Sequence, residues 1–279
     1  MYIHFAFGQL GREGRETEQT QQLIEKILIP RQLKTSKCVE FLPVWPDPIN
    51  TDWRIDVAKM AKLNSQKLDE DDVLEFVETT RTDATVIYLP VPVQMVCFID
   101  IALRKLKNSP HRFSYGKLGL AFTKNFYSRV EAKHVRYYTE SSLRNDAKIA
   151  EYNCNKGQSG PSNRKLEIEI AHYRKPAKLF ENFQKSIVQI IRKHSNVVKT
   201  SEFTYDRYPP DYDFTAENEV RCAVSDDSNY VRQIDGEFYL PFDEEELYCV
   251  IVPDGSVGEA LSRFFEQSWK ARPAISVFP

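Results

Sequence analysis

The residues best suited to chemistry in this sequence are few and widely spaced. Glu217, Glu219 and Arg221 stand two residues apart in the run TAENEVRCAV. Side chains alternate between faces along an extended strand, so this spacing would put all three in one row. In such a row a guanidinium holds one carboxylate ionised while the other contacts a substrate hydroxyl. The plain alternative is a solvent-facing row of ion pairs, and spacing alone favours it. His4, between Ile3 and Phe5, is a histidine on an apolar strand. Its simplest role is that of a core-edge residue donating to a backbone carbonyl. Tyr115 and Gly116, in SYGK, offer a stacking ring beside backbone that a ligand could approach, although a tight turn between strands is as good a reading. Arg104, Lys105, Lys107, Arg112 and Lys117 surround them, forming either a phosphate-attracting surface or a solvated face.

Other chemistries lack their signatures. The glycines of GQLGREG are not followed by Lys-Ser or Lys-Thr, so no phosphate-binding P-loop is expected. There is no GxSxG nucleophile turn, and His111, His134, His172 and His194 share no zinc-ligand spacing. The acidic run Asp69 to Asp72 reads as a helix start, where carboxylates meet the positive end of the dipole, rather than as a metal site. Cys38, Cys97, Cys154, Cys222 and Cys249 are odd in number and irregularly spaced, which suits a reducing cytoplasm. The net charge of -2, from 38 basic and 40 acidic residues, gives no global attraction to a polyanion. The most apolar region, Thr85 to Leu103, contains Pro90, Pro92, Gln94 and Asp100 and is a poor membrane span. The opening residues read as a strand rather than a secretory leader.

The elements that must position these residues follow from periodicity. A first strand is expected over Tyr2 to Phe7, then a helix from Glu16 to Ile29 stopped by Pro30. Three prolines confine Cys38 to Pro48 to an edge or a loop. Helices are expected at Trp53 to Leu63 and Asp69 to Val77, and strands at Val96 to Leu103, in the run ending at Phe122, and at His134 to Thr139. A helix from Ser141 to Glu151 precedes a polar loop, Asn153 to Asn163. The alternation of Leu166, Ile168 and Ile170 with Glu167 and Glu169 favours a half-buried strand, with a helix as the alternative, and Pro176 opens an amphipathic helix down to His194. Strands at Phe214 to Val224 and Tyr248 to Val252 lead to a capping box, Ser256 and Glu259, and a final helix; Ala274 to Phe278 closes the chain as a strand. Strands and helices intersperse without a regular beta-alpha-beta rhythm. The fold class expected is α+β, with mixed or antiparallel sheets and flanking helices, in a single domain over residues 1–279.

The order of the pieces resembles a known family. HFAF, CFIDIAL, SYGKLGLAFTK, HVRYY, YRKP and ENEVR are similar to the AbiGi-type abortive-infection proteins of bacterial phage defence, with their CFTDIPL, YGxxGIGF-K, PVxY, KPY and ExEWR segments. That family is distantly similar to the ADP-ribosyltransferase fold. The resemblance implies an enzyme that takes NAD as substrate and transfers ADP-ribose to a nucleic acid or protein acceptor. His4 would anchor a ribose hydroxyl or phosphate, with Phe5, Tyr115, Gly116 and Lys117 completing the cofactor site and Tyr115 stacking near nicotinamide. Glu219 would bind the nicotinamide-ribose hydroxyl and stabilise the charge that develops as nicotinamide leaves, and Glu217 would orient the acceptor; losing such a carboxylate costs roughly 3 to 4 kcal/mol of barrier. Ala6, Ile99, Ala102 and Val220 depart from the pattern, and at positions 6 and 99 a hydroxyl is lost. The alternative the resemblance implies is a non-catalytic antitoxin, or a sensor of a phage component, whose partner is a cognate protein. A nuclease using Asp100 with Mg²⁺ is a third, weaker reading, because the carboxylates lack a metal spacing. A working NAD site would require His4, Tyr115 and Glu219 to converge on one cleft.

Overall fold

The structure, a computed structural model, describes residues 2–6, 16–44, 87–106, 118–139, 142, 145–155, 166, 169–176, 213–224 and 228–278. Strand β1 is Tyr2–Ala6, and helix α1, Glu16–Leu23, widens into a π-helical turn at Ile24–Leu28. Next come strands β2 (Gln32–Lys34), β3 (Ser36–Val44) and β4 (Ile87–Asp100), and the single turn α2 (Leu103–Leu106). Strand β5 (Leu118–Phe122) and helix α3 (Lys124–Arg129) precede the short strands β6 (Lys133–His134) and β7 (Arg136–Tyr138). Helix α4 (Ala147–Asn155), strand β8 (Arg174–Pro176), a 3₁₀ turn at Phe214–Glu217 and strand β9 (Glu219–Ala223) follow. The chain finishes with β10 (Arg232–Ile234), β11 (Glu237–Pro241), β12 (Leu247–Val252), α5 (Gly255–Ser268) and β13 (Ala274–Val277). The fold is α+β with a mixed sheet.

The chain divides into two compact units, one made of Met1–Ser36, Met95–His134 and Glu217–Pro279, the other of Lys37–Gln94 and Val135–Ala216. In the first, the strand order is β13-β12-β5-β1-β4-β9-β6, with β12 and β13 parallel and the other neighbours antiparallel. LGLAF of β5 is apolar at every position and buried at every position, as a central strand covered on both faces must be. One sheet face carries Ala6, Val96, Phe98, Leu118, Leu120, Phe122 and Val220 against Phe126 of α3, Leu23 of α1, and Leu261 and Phe265 of α5. The other face packs Ile3, Ile99, Ala121, Cys249 and Ile251 with Leu106 of α2. Gly119 belongs to this second face, where a Cβ would meet Ile251, Ile3 and Phe5 within 3.2–3.3 Å. Burying each such leucine, isoleucine or phenylalanine stabilises the fold by about 1.5–3 kcal/mol.

In the second unit β3 pairs with β4, and β7 pairs in parallel with β8. Asp146 caps α4, accepting the N–H groups of Lys148 (3.0 Å) and Ile149 (3.3 Å), while its other oxygen accepts Arg174 Nε at 2.8 Å.

Several local expectations need correction. Residues 166 and 169–173 are helical, not extended, because Leu166 and Ile170 are four apart and both buried on one helical face. The predicted helix at Ser141 begins only at Ala147, behind the Asp146 cap. Pro176 is the last residue of β8 and itself extended. The cap of α5 is Asp254, whose carboxylate accepts Val257 N–H (3.0 Å) and Ser256 Oγ–H (2.6 Å), so Ser256 lies inside the helix. The reciprocal capping box occurs at Asp243 and Glu246. Cys38 to Val44 needs no correction: among the described residues it pairs with β4 alone, as an edge strand, with Pro43 inside it. The expected helices at Trp53 to Leu63, Asp69 to Val77 and 177–194, and the loop at 156–163, lie outside the described residues.

Candidate functional site

The row expected of Glu217, Glu219 and Arg221 does not form, and the reason is Asn218. The chain runs from Phe214 to Glu217 as a 3₁₀ turn, started by Asp213, which accepts both Thr215 N–H (2.9 Å) and Thr215 Oγ–H (2.6 Å). Asn218 then takes a left-handed conformation, φ 43, which asparagine tolerates better than most residues. Its carbonyl accepts the N–H of Asp100 at 3.0 Å. Only Glu219 and Arg221 are therefore strand residues sharing a face, and they grip each other: Arg221 Nε donates to Oε1 (2.7 Å) and Nη2 to Oε2 (3.2 Å). Both are buried, with 1% of the Arg221 side chain and 8% of the Glu219 side chain exposed. Glu217 is buried separately at the end of the 3₁₀ turn.

His4 lies across the sheet from this pair. Residues opposite each other on antiparallel strands project to the same face. Ile3 pairs with Ile99 and Ile99 with Glu219, so Ile3, Ile99 and Glu219 share one face. His4, the next residue, projects from the other, where its ring stands 5.8 Å from Phe98. Its Nδ1–H donates to the Cys97 carbonyl at 2.9 Å, the bland role expected of it. Burial holds its pKa below the usual histidine value, against the opposing pull of that hydrogen bond, so the ring is neutral near pH 7. Phe5 is on the Glu219 side and packs into the apolar cluster with Ile3 and Ile251. Tyr115, Gly116 and Lys117 lie outside the described residues. The structure thus brings Glu219 to Arg221 and does not bring it to His4.

A different group of side chains gathers on the His4 side of the sheet. Tyr2 is paired with Asp100 on β4 and with Phe122 on β5, and α3 begins just after β5, placing Tyr127 over Tyr2. The two rings stack with centroids 3.9 Å apart and planes 9° apart. The His134 ring stands 6.5 Å from Tyr2 and 6.2 Å from Tyr127. His134 Nε2 is 3.7 Å from Asp100 Oδ2, close enough for an ion pair when the ring is protonated and too long for a hydrogen bond. Burial, and then the Asp100 charge, raise the pKa of Tyr2. Burial, then Tyr2 and Asp100, raise that of Tyr127. Both phenols therefore stay protonated near a carboxylate that is a third exposed. Asp100 was legible as a carboxylate interrupting an apolar run, but nothing local pointed to Tyr2, Tyr127 and His134. Their meeting depends on strand register and on the turn from β5 into α3.

Two of the thiols are held protonated by burial. Cys222 is buried, its thiol pushed up to about 12 by burial, and it donates to the Val130 carbonyl at 3.2 Å. Cys249 is likewise raised by burial and donates to Ser276 Oγ at 3.2 Å. Among the described residues no three His, Cys, Asp or Glu side chains stand together as metal ligands. No described helix is long and apolar enough to cross a membrane.

These features define an α+β protein whose mixed sheet buries a glutamate–arginine pair on one face and carries an aromatic and acidic cluster on the other. The chain belongs to the family described as "putative abortive phage resistance protein AbiGi, antitoxin", whose model matches residues 70–247, more than half of its length. The matched span contains CFIDIAL, SYGKLGLAFTK, HVRYY, YRKP and ENEVR but not His4. No curated protein and no solved structure matches the chain.

Proposed function

We propose that this chain serves abortive-infection phage defence as an antitoxin, a non-catalytic component that restrains a cognate toxin by binding it. The family description supports that reading. The geometry that carries it is the placement of Glu219. A carboxylate that stabilises a developing positive charge must face the reacting atoms and be free to respond to them. Glu219 instead gives both its oxygens to Arg221 in a buried pair. An NAD-consuming reading would need His4 and Glu219 on one NAD molecule, and they project from opposite faces of the sheet.

Growth separates the two. The chain expressed alone should leave cells growing, the gene beside it should arrest them, and the two together should restore growth. Arrest by this chain alone, relieved by Glu219→Gln, together with calorimetric binding of NAD, would instead establish the transferase.

A further inference from the structure

We propose that the outer edge of β13 pairs with β13 of a second copy of this chain, antiparallel and centred on Ser276, to give a two-fold dimer with one continuous sheet. The proposal is independent of the antitoxin reading.

The backbone leaves a short window open at this edge. β13 is the last strand of its sheet, bonded to β12 alone among the described residues. Phe278 N–H donates to the Val252 carbonyl at 2.8 Å, and alternate residues of a strand direct their N–H and C=O groups to the same edge, so Ala274, Ser276 and Phe278 bond inward to β12. Ile275 and Val277 therefore direct theirs outward, where no described residue meets them. Pro273 would be the next outward donor and has no N–H, which limits the window to Ile275 and Val277. The edge is open to solvent: Val277 is 48% exposed, Ala274 is exposed and Ile275 is half-buried. The opposite end of the sheet is built differently. There β6 is only two residues long and carries Lys133, the short and charged form by which sheets discourage edge pairing. Ala274–Val277 carries no charge.

The sequence of this strand matches itself when reversed. In an antiparallel pair about Ser276, Ile275 lies opposite Val277 of the second copy and exchanges both hydrogen bonds with it. The two-fold axis repeats the exchange, so every outward group of both copies is used. Opposite residues share a face. Beside Gly258 of α5, Ile275 meets Val277 of the second copy as a β-branched cross-strand pair. On the other face Ala274 lies opposite Phe278, small against large. Ser276 lies opposite itself in a non-hydrogen-bonded pair, where Cα atoms come within about 4.5 Å and a small side chain is suited. A strand of unrelated sequence would match the backbone but not these sizes.

Sedimentation equilibrium of the full chain should give twice the chain mass at high concentration and the single mass on dilution. Hydrogen exchange should find the Ile275 and Val277 amides protected in the first condition and fast in the second. Val277→Pro removes an outward donor and no bond to β12, so it should fold as before and dimerise more weakly by about tenfold or more. Val277→Lys keeps the donor but sets a charge beside Ile275 of the second copy, and should weaken the dimer as well. A single mass at every concentration, or a dimer that both variants leave intact, would overturn the proposal. So would a chain that is monomeric alone and gains protection at Ile275 and Val277 only when the cognate toxin is added, because the edge would then belong to that protein.

Discussion

Asp100 and Glu219 are near neighbours on adjacent strands and live in opposite circumstances. Ile99 is paired with Glu219, and Asp100 is the next residue along β4, so the two carboxylates leave the sheet on opposite faces. Glu219 is buried and fully engaged by a guanidinium two residues away. Asp100 is a third exposed, beside two stacked tyrosines and an exposed histidine. A buried pair of this kind contributes little net stability against an apolar replacement, yet breaking it is expensive because one charge is left uncompensated. A partly exposed carboxylate costs less to remove, because solvent screens its charge. One strand register thus separates a buried, paired carboxylate from a partly exposed one.

The largest effect expected is at the buried pair. Arg221→Met should destabilise the protein by about 3–5 kcal/mol in urea denaturation, since Glu219 would stay buried after losing both hydrogen bonds from the Arg221 guanidinium. Adding Glu219→Leu should recover most of that loss; a double variant as unstable as the single one would mean that the pair is not the unit described.

Next comes an anchor outside both sites. Burial alone would raise the pKa of Glu244, but the backbone N–H groups of Ala271 (3.0 Å) and Lys270 (2.7 Å), with the charge of Arg31, hold it below the usual carboxylate value. A depressed carboxylate contributes stability that is present above its unfolded pKa and is lost as pH falls through the folded one. Glu244→Gln should lower stability at neutral pH by about 2 kcal/mol and flatten its decline below the unfolded value of 4.5.

His4 should shape a higher-pH region. Its pKa is lowered by burial, so the unfolded chain binds a proton that the folded chain refuses, and stability should fall as pH drops below 6.5. His4→Gln should remove that part of the pH dependence. An unchanged slope between pH 7 and pH 5.5 would count against a neutral buried ring. Smallest of all should be Asp100→Asn, changing unfolding free energy by less than about 0.5 kcal/mol.

The sequence carried the fold where single segments decide. The apolar run of β5, the strand at Leu247–Val252 and the helix ended by Pro30 were all legible from periodicity. Legibility failed where two patterns fit the same residues, as at Leu166 and Ile170, whose spacing suits either an alternating strand or a helical face. It failed again where one backbone residue overrides a pattern: Asn218 turns the Glu-x-Glu-x-Arg row into a 3₁₀ end and a two-residue pair. The hairpin between β10 and β11 went unread although Asp235 and Gly236, with φ 51 and 78, supply the left-handed pair that such a turn demands. The candidate site was the least legible part. Tyr2, Asp100, Tyr127 and His134 come from β1, β4, α3 and β6, and only long-range register joins them.

The account stands most directly on whether Glu219 is structural. The measurement is growth rescue by the Arg221→Met, Glu219→Leu double variant in cells expressing the cognate toxin, alongside its unfolding free energy. The prediction is a folded protein that protects as well as wild type, because the buried pair has been replaced by apolar side chains and the Asp100 face left untouched. A double variant that folds normally and protects no cells would contradict it, returning Glu219 to the functional site.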